Sequence, residues 1–237
     1  AQPMGAPETR PSVTEILDAE HPQTQLLRKI SSYVSNELVM DAFLETDRAL
    51  FAPPDTGEAV YEDQIIQLDG ATISQPTLVA KMVNMLEPDG TGRYLEVGTA
   101  SGWSAALLSH CVESVDTIEL SEKLATETRK RLAYLGYTNV TVYTGDGMLG
   151  NSNQAPYKGI IFTAAVRYIP QTLADQLEEN GRIVIPVGPR DNEDCQLILG
   201  IKKNGVLKVR PIGKVFFMPV VSEQEGAWTR QALEELE

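Results

Sequence analysis

From Gly92 onward the chain alternates short apolar runs with amphipathic stretches. Runs at 93–97, 115–119, 140–144, 159–163 and 182–187 predict strands. The segments 103–109, 121–135 and 170–178 space their apolar residues as helices do. Such alternation predicts a parallel sheet packed against helices. Gly136 fits the left-handed position that closes a helix. Near the end the pattern changes. Cys195–Ile201 and Leu207–Pro211 read as antiparallel strands joined by Lys203-Asn204-Gly205. Upstream, Leu26, Leu27, Ile30, Val34, Val39 and Phe43 recur at helical spacing and predict two short helices with a break near Ser35-Asn36. Phe51–Gly57 reads as a loop, and Asp63–Gly70 as a short extended segment with a turn. A helix begins at Gln75-Pro76, buries Val79, Met82 and Val83, and stops at Pro88-Asp89-Gly90.

Composition narrows the function classes. The chain has 237 residues and a formal net charge of −13. That charge disfavours non-specific attraction to nucleic acid or anionic lipid, so neither is expected as a partner, and a monomer is expected. Two cysteines in apolar surroundings, Cys111 and Cys195, predict buried free thiols rather than a disulfide framework. Two isolated histidines, His21 and His110, predict no metal site. No apolar run is long enough to span a bilayer. The opening residues, Ala1 to Pro7, lack the charged and apolar regions of a secretory leader, so the cytoplasm is the expected compartment.

The densest chemistry lies in Arg93-Tyr-Leu-Glu-Val-Gly-Thr-Ala-Ser-Gly-Trp103. A strand ends in Glu96-Val97-Gly98. The small residues Thr99, Ala100, Ser101 and Gly102 follow, and Trp103 opens a helix. Small residues let the backbone approach a ligand, and the helix N-terminus offers free N–H groups. The next strand closes with Glu119-Leu120, where a carboxylate can accept both hydroxyls of a ribose. A nucleoside-containing cofactor is therefore expected. The loop is not G-x-G-x-x-G, because Ala100 stands where the middle glycine falls, and no G-K-[ST] follows it. Glu96 would repel a pyrophosphate but suits a cation. S-adenosylmethionine, with its sulfonium and amino group, meets both conditions. Gly145-Asp146-Gly147 marks a further turn, with Asp146 placed to accept from an adenine amine. Trp103 and Tyr143 read as packing groups and the acidic helix 121–130 as a solvated face.

These blocks resemble protein-L-isoaspartate O-methyltransferases over roughly residues 24–221. Met40–Phe43 and Phe51–Pro53 resemble the family's N-terminal helix and loop. Thr72-Ile-Ser-Gln-Pro76 resembles its most specific motif, and Leu95–Gly102 its cofactor loop. Leu135–Val140, Gly145–Gly147, Thr163–Ala165 with Ile169-Pro170, and Gly181–Gly188 complete the order. The resemblance implies a Rossmann-like class I methyltransferase, an α/β fold with a mostly parallel doubly wound sheet and an antiparallel end. It implies a helical and substrate-site segment at 24–90 and the cofactor domain at 91–221, while composition marks 1–23 as a mobile segment and 222–237 as a helical tail. It also implies a cofactor site built from Glu96, Gly98, Thr99, Ala100, Ser101, Gly102, Glu119, Leu120, Gly145, Asp146, Gly147 and Thr163. Leu68, Ala71, Thr72, Ile73, Ser74 and Gln75 would face the substrate. Three positions depart from the family. Ala71 replaces a glutamine, Leu68 stands where glycine is common, and Ala100 replaces a glycine of the loop. The last change is harmless unless that position requires φ > 0.

The implied reaction is methyl esterification of an isoaspartyl carboxylate in a damaged protein or peptide, followed by succinimide closure and repair. A carboxylate is already ionised at neutral pH, so no general base is required. A hydroxyl that aims it suffices, and Ser74 is the candidate. Ser74 could also serve as the N-cap of the helix begun by Pro76, and the two roles are not exclusive. Alternatives are an enzyme dedicated to one biosynthetic peptide, a methyltransferase for a small molecule or RNA, and a cofactor-binding module without catalysis.

Overall fold

Of the 237 residues, a computed structural model describes 21–188 and 195–227. The first twenty residues and most of the helical tail expected at 222–237 lie outside the described residues, and the described part of that tail, 222–227, forms bends and turns rather than helix. Helix α1 (Pro22–Ser31) starts with proline at its first turn, and the ring of His21 accepts from the Gln23 N–H at 3.1 Å. Helix α2 (Glu37–Glu45) is capped by Asn36, whose side chain accepts from the Leu38 N–H at 3.0 Å. The break near Ser35-Asn36 therefore has a cap as its cause. The stretch read as a loop holds two 3₁₀ segments, Arg48–Leu50 and Pro54–Tyr61, the second kinked at Gly57. Strands β1 (Ile66–Gln67) and β2 (Thr72–Ile73) form a separate antiparallel hairpin. The end of β2 leads through Ser74-Gln75 into helix α3 (Pro76–Met85).

The main sheet follows. Its elements are β3 (Arg93–Val97), α4 (Trp103–Ser109), β4 (Ser114–Glu119), α5 (Glu122–Tyr134) and β5 (Val140–Thr144). Then come β6 (Tyr157–Phe162), α6 (Gln171–Asp175), β7 (Leu177–Val187), β8 (Cys195–Lys203) and β9 (Val206–Val215). The spatial order is β5-β4-β3-β6-β7-β8-β9, parallel through β7 and antiparallel beyond. The helix expected to reach 178 stops at Asp175, because Leu177 already pairs with Tyr157 in the sheet. The last hairpin turns at Asn204-Gly205, both at positive φ, as tight two-residue turns require.

Side chains alternate across the sheet. Tyr94, Ile161 and Val184 join Leu27, Met82 and Leu107 from the helices on one face. Leu95, Ile160 and Ile183 join Met148 and Leu173 on the other. Strand order reverses between β3 and β6, so a crevice opens beyond their carboxyl ends, where ligands bind in open α/β sheets. Burial pushes the Cys111 thiol up to about 12, which leaves it inert at neutral pH. Among the described residues no helix is long and apolar enough to cross a membrane, and no cluster of His, Cys, Asp and Glu could hold a metal.

Candidate active site

Gly98 follows β3 with φ at 100°, and a Cβ there would lie 2.5 Å from the Thr163 hydroxyl oxygen. That hydroxyl donates to the Gly98 carbonyl at 2.8 Å and ties the loop to the end of β6. Only glycine meets both demands. Ala100 has φ at 46°, so the condition that makes its methyl harmless is not met. A side-chain-bearing residue in the left-handed region carries about 1–2 kcal/mol of strain. Two bonds hold it there. Its N–H donates to Glu119 Oε1 at 3.1 Å, and its carbonyl accepts from the Thr128 hydroxyl at 2.7 Å.

Glu119 ends β4 with its second oxygen, Oε2, accepting from the Ser121 N–H at 2.9 Å. Two backbone donors fix the carboxylate and leave further lone pairs on both oxygens for ligand hydroxyls. It stands in a cavity of about 310 Å³ that Gly98, Ala100, Leu120, Gly147 and Thr163 also line. Ile118 and Val220 add apolar walls, and Gly70–Thr72 of the small hairpin close one side. A methyl on Gly147 would meet Val97 at 2.2 Å, so its backbone lies against β3 at the floor. A fixed acid between apolar walls at a switch point suits a nucleoside.

Other expected cofactor residues stand behind this surface. Glu96 is fully buried and does not line the cavity. The Ser104 hydroxyl donates to one of its oxygens, and the Thr117 hydroxyl donates to the other at 2.7 Å. Burial pushes it up to about 7, against the pull of those two hydrogen bonds, and the Glu119 charge raises it further. Thr99 and Thr117 bond through their hydroxyls at 2.6 Å beside it. Gly102 starts α4 as its N-cap, and the Gly145 N–H donates to the Glu119 carbonyl at 2.9 Å. Asp146 caps its own turn through the Met148 N–H at 3.0 Å and accepts from the Ser222 hydroxyl. Leu68 lines a different cleft of about 570 Å³, between residues 51–56 and α5, and Ser101 borders both that cleft and the small gap at Ser74. Leu68 thus faces that cleft, although its N–H donates to the carbonyl of Ala71 at 2.8 Å across the hairpin.

Ser74 stands at a junction. It lines a small gap together with Thr72, Ile73, Gly98, Thr99 and Ala100, which joins it to the cofactor loop. It also lines a groove of about 460 Å³ with Thr72 and Gln75. Ala71 faces the cofactor cavity. The N-cap of α3 is Gln75, so Ser74 precedes the cap, and its hydroxyl has no partner among the described residues. The capping role is thereby excluded. The far wall of the groove comes from Phe216, Phe217 and Met218, with Tyr33 and Lys81 beside them. Met218 borders both the groove and the cofactor cavity. Its segment is pinned by the Ala165 N–H to the Met218 carbonyl at 2.8 Å and the Val220 N–H to the Ala165 carbonyl at 2.7 Å. The sequence reading missed this wall. Its signal is an aromatic pair just past the last strand, where alternation ceases.

The strand order, the antiparallel end and the acid at the end of β4 define a class I methyltransferase. Residues 22–225 match the model of the protein-L-isoaspartate(D-aspartate) O-methyltransferase family, and the chain belongs to that family. The chain is 40% identical over 200 residues to the Roseiflexus castenholzii protein-L-isoaspartate O-methyltransferase, covering 84% of this chain and 89% of that one. It is 41% identical over 196 residues to the Pelotomaculum thermopropionicum protein of the same name, covering 82% and 85%. A solved protein-L-isoaspartate O-methyltransferase superposes with a TM-score of 0.74 at 29% identity, over 83% of this chain and 65% of that chain. A Plasmodium falciparum β-aspartate methyltransferase solved with S-adenosyl-L-homocysteine shares the fold, with a TM-score of 0.70 at 21% identity over 86% and 99%.

Proposed function

We propose that Ser74 aims the carboxylate of an isoaspartyl residue at the methyl group of S-adenosylmethionine, and that the groove beside it holds the flanking peptide. The carrying observation is that Ser74, with an uncommitted hydroxyl, borders both the groove and the cofactor loop. Bound S-adenosylmethionine supplies a sulfonium methyl, which a carboxylate oxygen takes in line to give a methyl ester and S-adenosylhomocysteine. Glu119 would hold the ribose, and Gly147 would let the adenine edge approach. Ser74 would donate to one carboxylate oxygen while the other attacks. The hairpin tip and the 216–221 segment would keep water from the reacting atoms. Damaged proteins and peptides are the substrate class. The same reading takes the enzyme as a cytoplasmic monomer with no nucleic-acid partner, and the net charge of −13 supports the last point.

Labelled methyl transfer to an isoaspartyl peptide and its aspartyl twin tests the activity. Transfer to the first with little to the second is expected. Equal transfer to both, or to neither, would overturn the reading. Ser74→Ala tests the residue. With capping excluded, stability should move by less than about 0.5 kcal/mol. The kcat should fall roughly ten- to a hundredfold, equivalent to about 1.4–2.8 kcal/mol, with cofactor affinity unchanged. Full turnover by folded Ser74→Ala would remove its role.

A further inference from the structure

Arg48 is 2% exposed, yet its hydrogen bonds among the described residues go to main-chain carbonyls. One terminal nitrogen, Nη2, donates to the Ser74 carbonyl at 2.9 Å and to the Gln64 carbonyl at 2.8 Å. The other, Nη1, donates to the carbonyls of Val60 at 3.0 Å and Glu62 at 3.2 Å. Its central carbon lies 5.2 Å from the ring centroid of Trp103, the first residue of α4. Trp103 shares the small gap with Ser74 and donates from its indole N–H to the Thr46 carbonyl at 3.2 Å. The guanidinium thus joins the residue that opens α4 behind the cofactor loop to the backbone of the acceptor segment. Asp63 grips the same segment from the other end. Its Oδ1 accepts from the Thr77 N–H at 3.0 Å, and its Oδ2 accepts from the Thr77 hydroxyl at 2.9 Å and from the Gln75 amide at 3.2 Å.

Ser74 therefore sits between a cation bound to its own carbonyl and an acid bound to the two polar residues that flank Pro76. We infer that Arg48 is a positioning residue for Ser74, acting with Asp63. The inference rests on the role proposed above for Ser74. The orientation of the Ser74 peptide plane sets the direction of its Cα–Cβ bond, and the hydroxyl follows. A planar fork can bridge several carbonyls in fixed geometry, whereas a lysine ammonium is a point charge on a flexible stem. The substitution Arg48→Lys thus keeps the charge and loses the fork.

A kinetic double-mutant cycle tests this. In the full chain, Arg48→Lys should lower kcat on an isoaspartyl peptide at least fivefold. Its KM for the peptide and its affinity for S-adenosylhomocysteine should stay within about threefold, since positioning is spent in the reacting complex. In the Ser74→Ala background the same exchange should change kcat less than twofold, because residues acting through one group are not additive. An equal loss in both backgrounds, or an unchanged kcat in the single variant, would overturn the inference. If Ser74→Ala alone keeps full kcat, the role of Ser74 fails and this inference falls with it. Should Arg48→Lys not fold, Asp63→Asn keeps the side-chain shape and supplies the same cycle, decided by the same outcomes.

Discussion

Exchanging Glu119 for alanine is expected to weaken binding of S-adenosylhomocysteine by two to four orders of magnitude. Two charge-assisted hydrogen bonds to ribose hydroxyls would be lost, each worth roughly 1.5–3 kcal/mol. Their sum of about 3–6 kcal/mol corresponds to that range at about 1.4 kcal/mol per tenfold. The structure adds a reason for the upper half. The same carboxylate accepts from the N–H groups of Ala100 and Ser121, so its removal also frees a loop residue held in a left-handed conformation. A ligand would then have to order that loop on binding. Glu119→Gln separates the contributions. Its single carbonyl oxygen can keep one backbone bond, and a smaller loss, of about tenfold, is expected. Calorimetry gives the affinities, and thermal unfolding with circular dichroism reports whether the variants fold. Affinity unchanged in folded Glu119→Ala would remove this residue from the cofactor site.

The parallel half of the fold was legible because each strand is a short apolar run closed by a turn residue. The predicted bounds of 93–97 and 140–144 match β3 and β5. Errors arose where tertiary pairing outweighs local pattern. Helix α6 stops early because Leu177 pairs with Tyr157, a partner twenty residues away that no local window contains. The Thr72-Ile73 strand is legible only with its mate Ile66-Gln67, since two residues carry no periodicity. The positions expected to hold the cofactor were legible as turns for the same reason as the strands, since they follow β3, β4, β5 and β6. Glu96, expected at the cofactor, lies buried beneath the loop and does not line the cavity. Alternation along β3 puts Tyr94 on the helical face and Leu95 and Val97 on the other, so Glu96 points toward α4 and not along the strand end. The groove wall at 216–218 and the guanidinium at 48 could not be read, because each meets Ser74 only through the folded chain.

That buried carboxyl group has a consequence for stability. Between about pH 5 and pH 7 the contribution of Glu96 to the stability of the folded enzyme is expected to fall as pH rises. Burial holds its pKa at about 7, above the ordinary glutamate range. In the unfolded chain the group ionises near 4.3. Within the window between these values the folded state keeps a proton that the unfolded state has released. The folded state binds more protons there, so the free energy of unfolding falls with pH, and it levels off once the folded group ionises. With a folded pKa of about 7, the full difference is about 4 kcal/mol, from about 1.4 kcal/mol per pKa unit. Glu96→Gln cannot ionise but can still accept a hydrogen bond from Ser104 or Thr117. Its stability should be nearly free of this slope. Other titrating groups contribute equally to both proteins, so the difference between their denaturation curves at pH 5, 6 and 7 isolates Glu96. The variant should therefore gain on the parent with each step upward in pH. Curves that stay parallel would return Glu96 to the ordinary carboxylate range. They would also mean that the Ser104 and Thr117 hydroxyls hold an ionised carboxylate beneath the cofactor loop at every working pH.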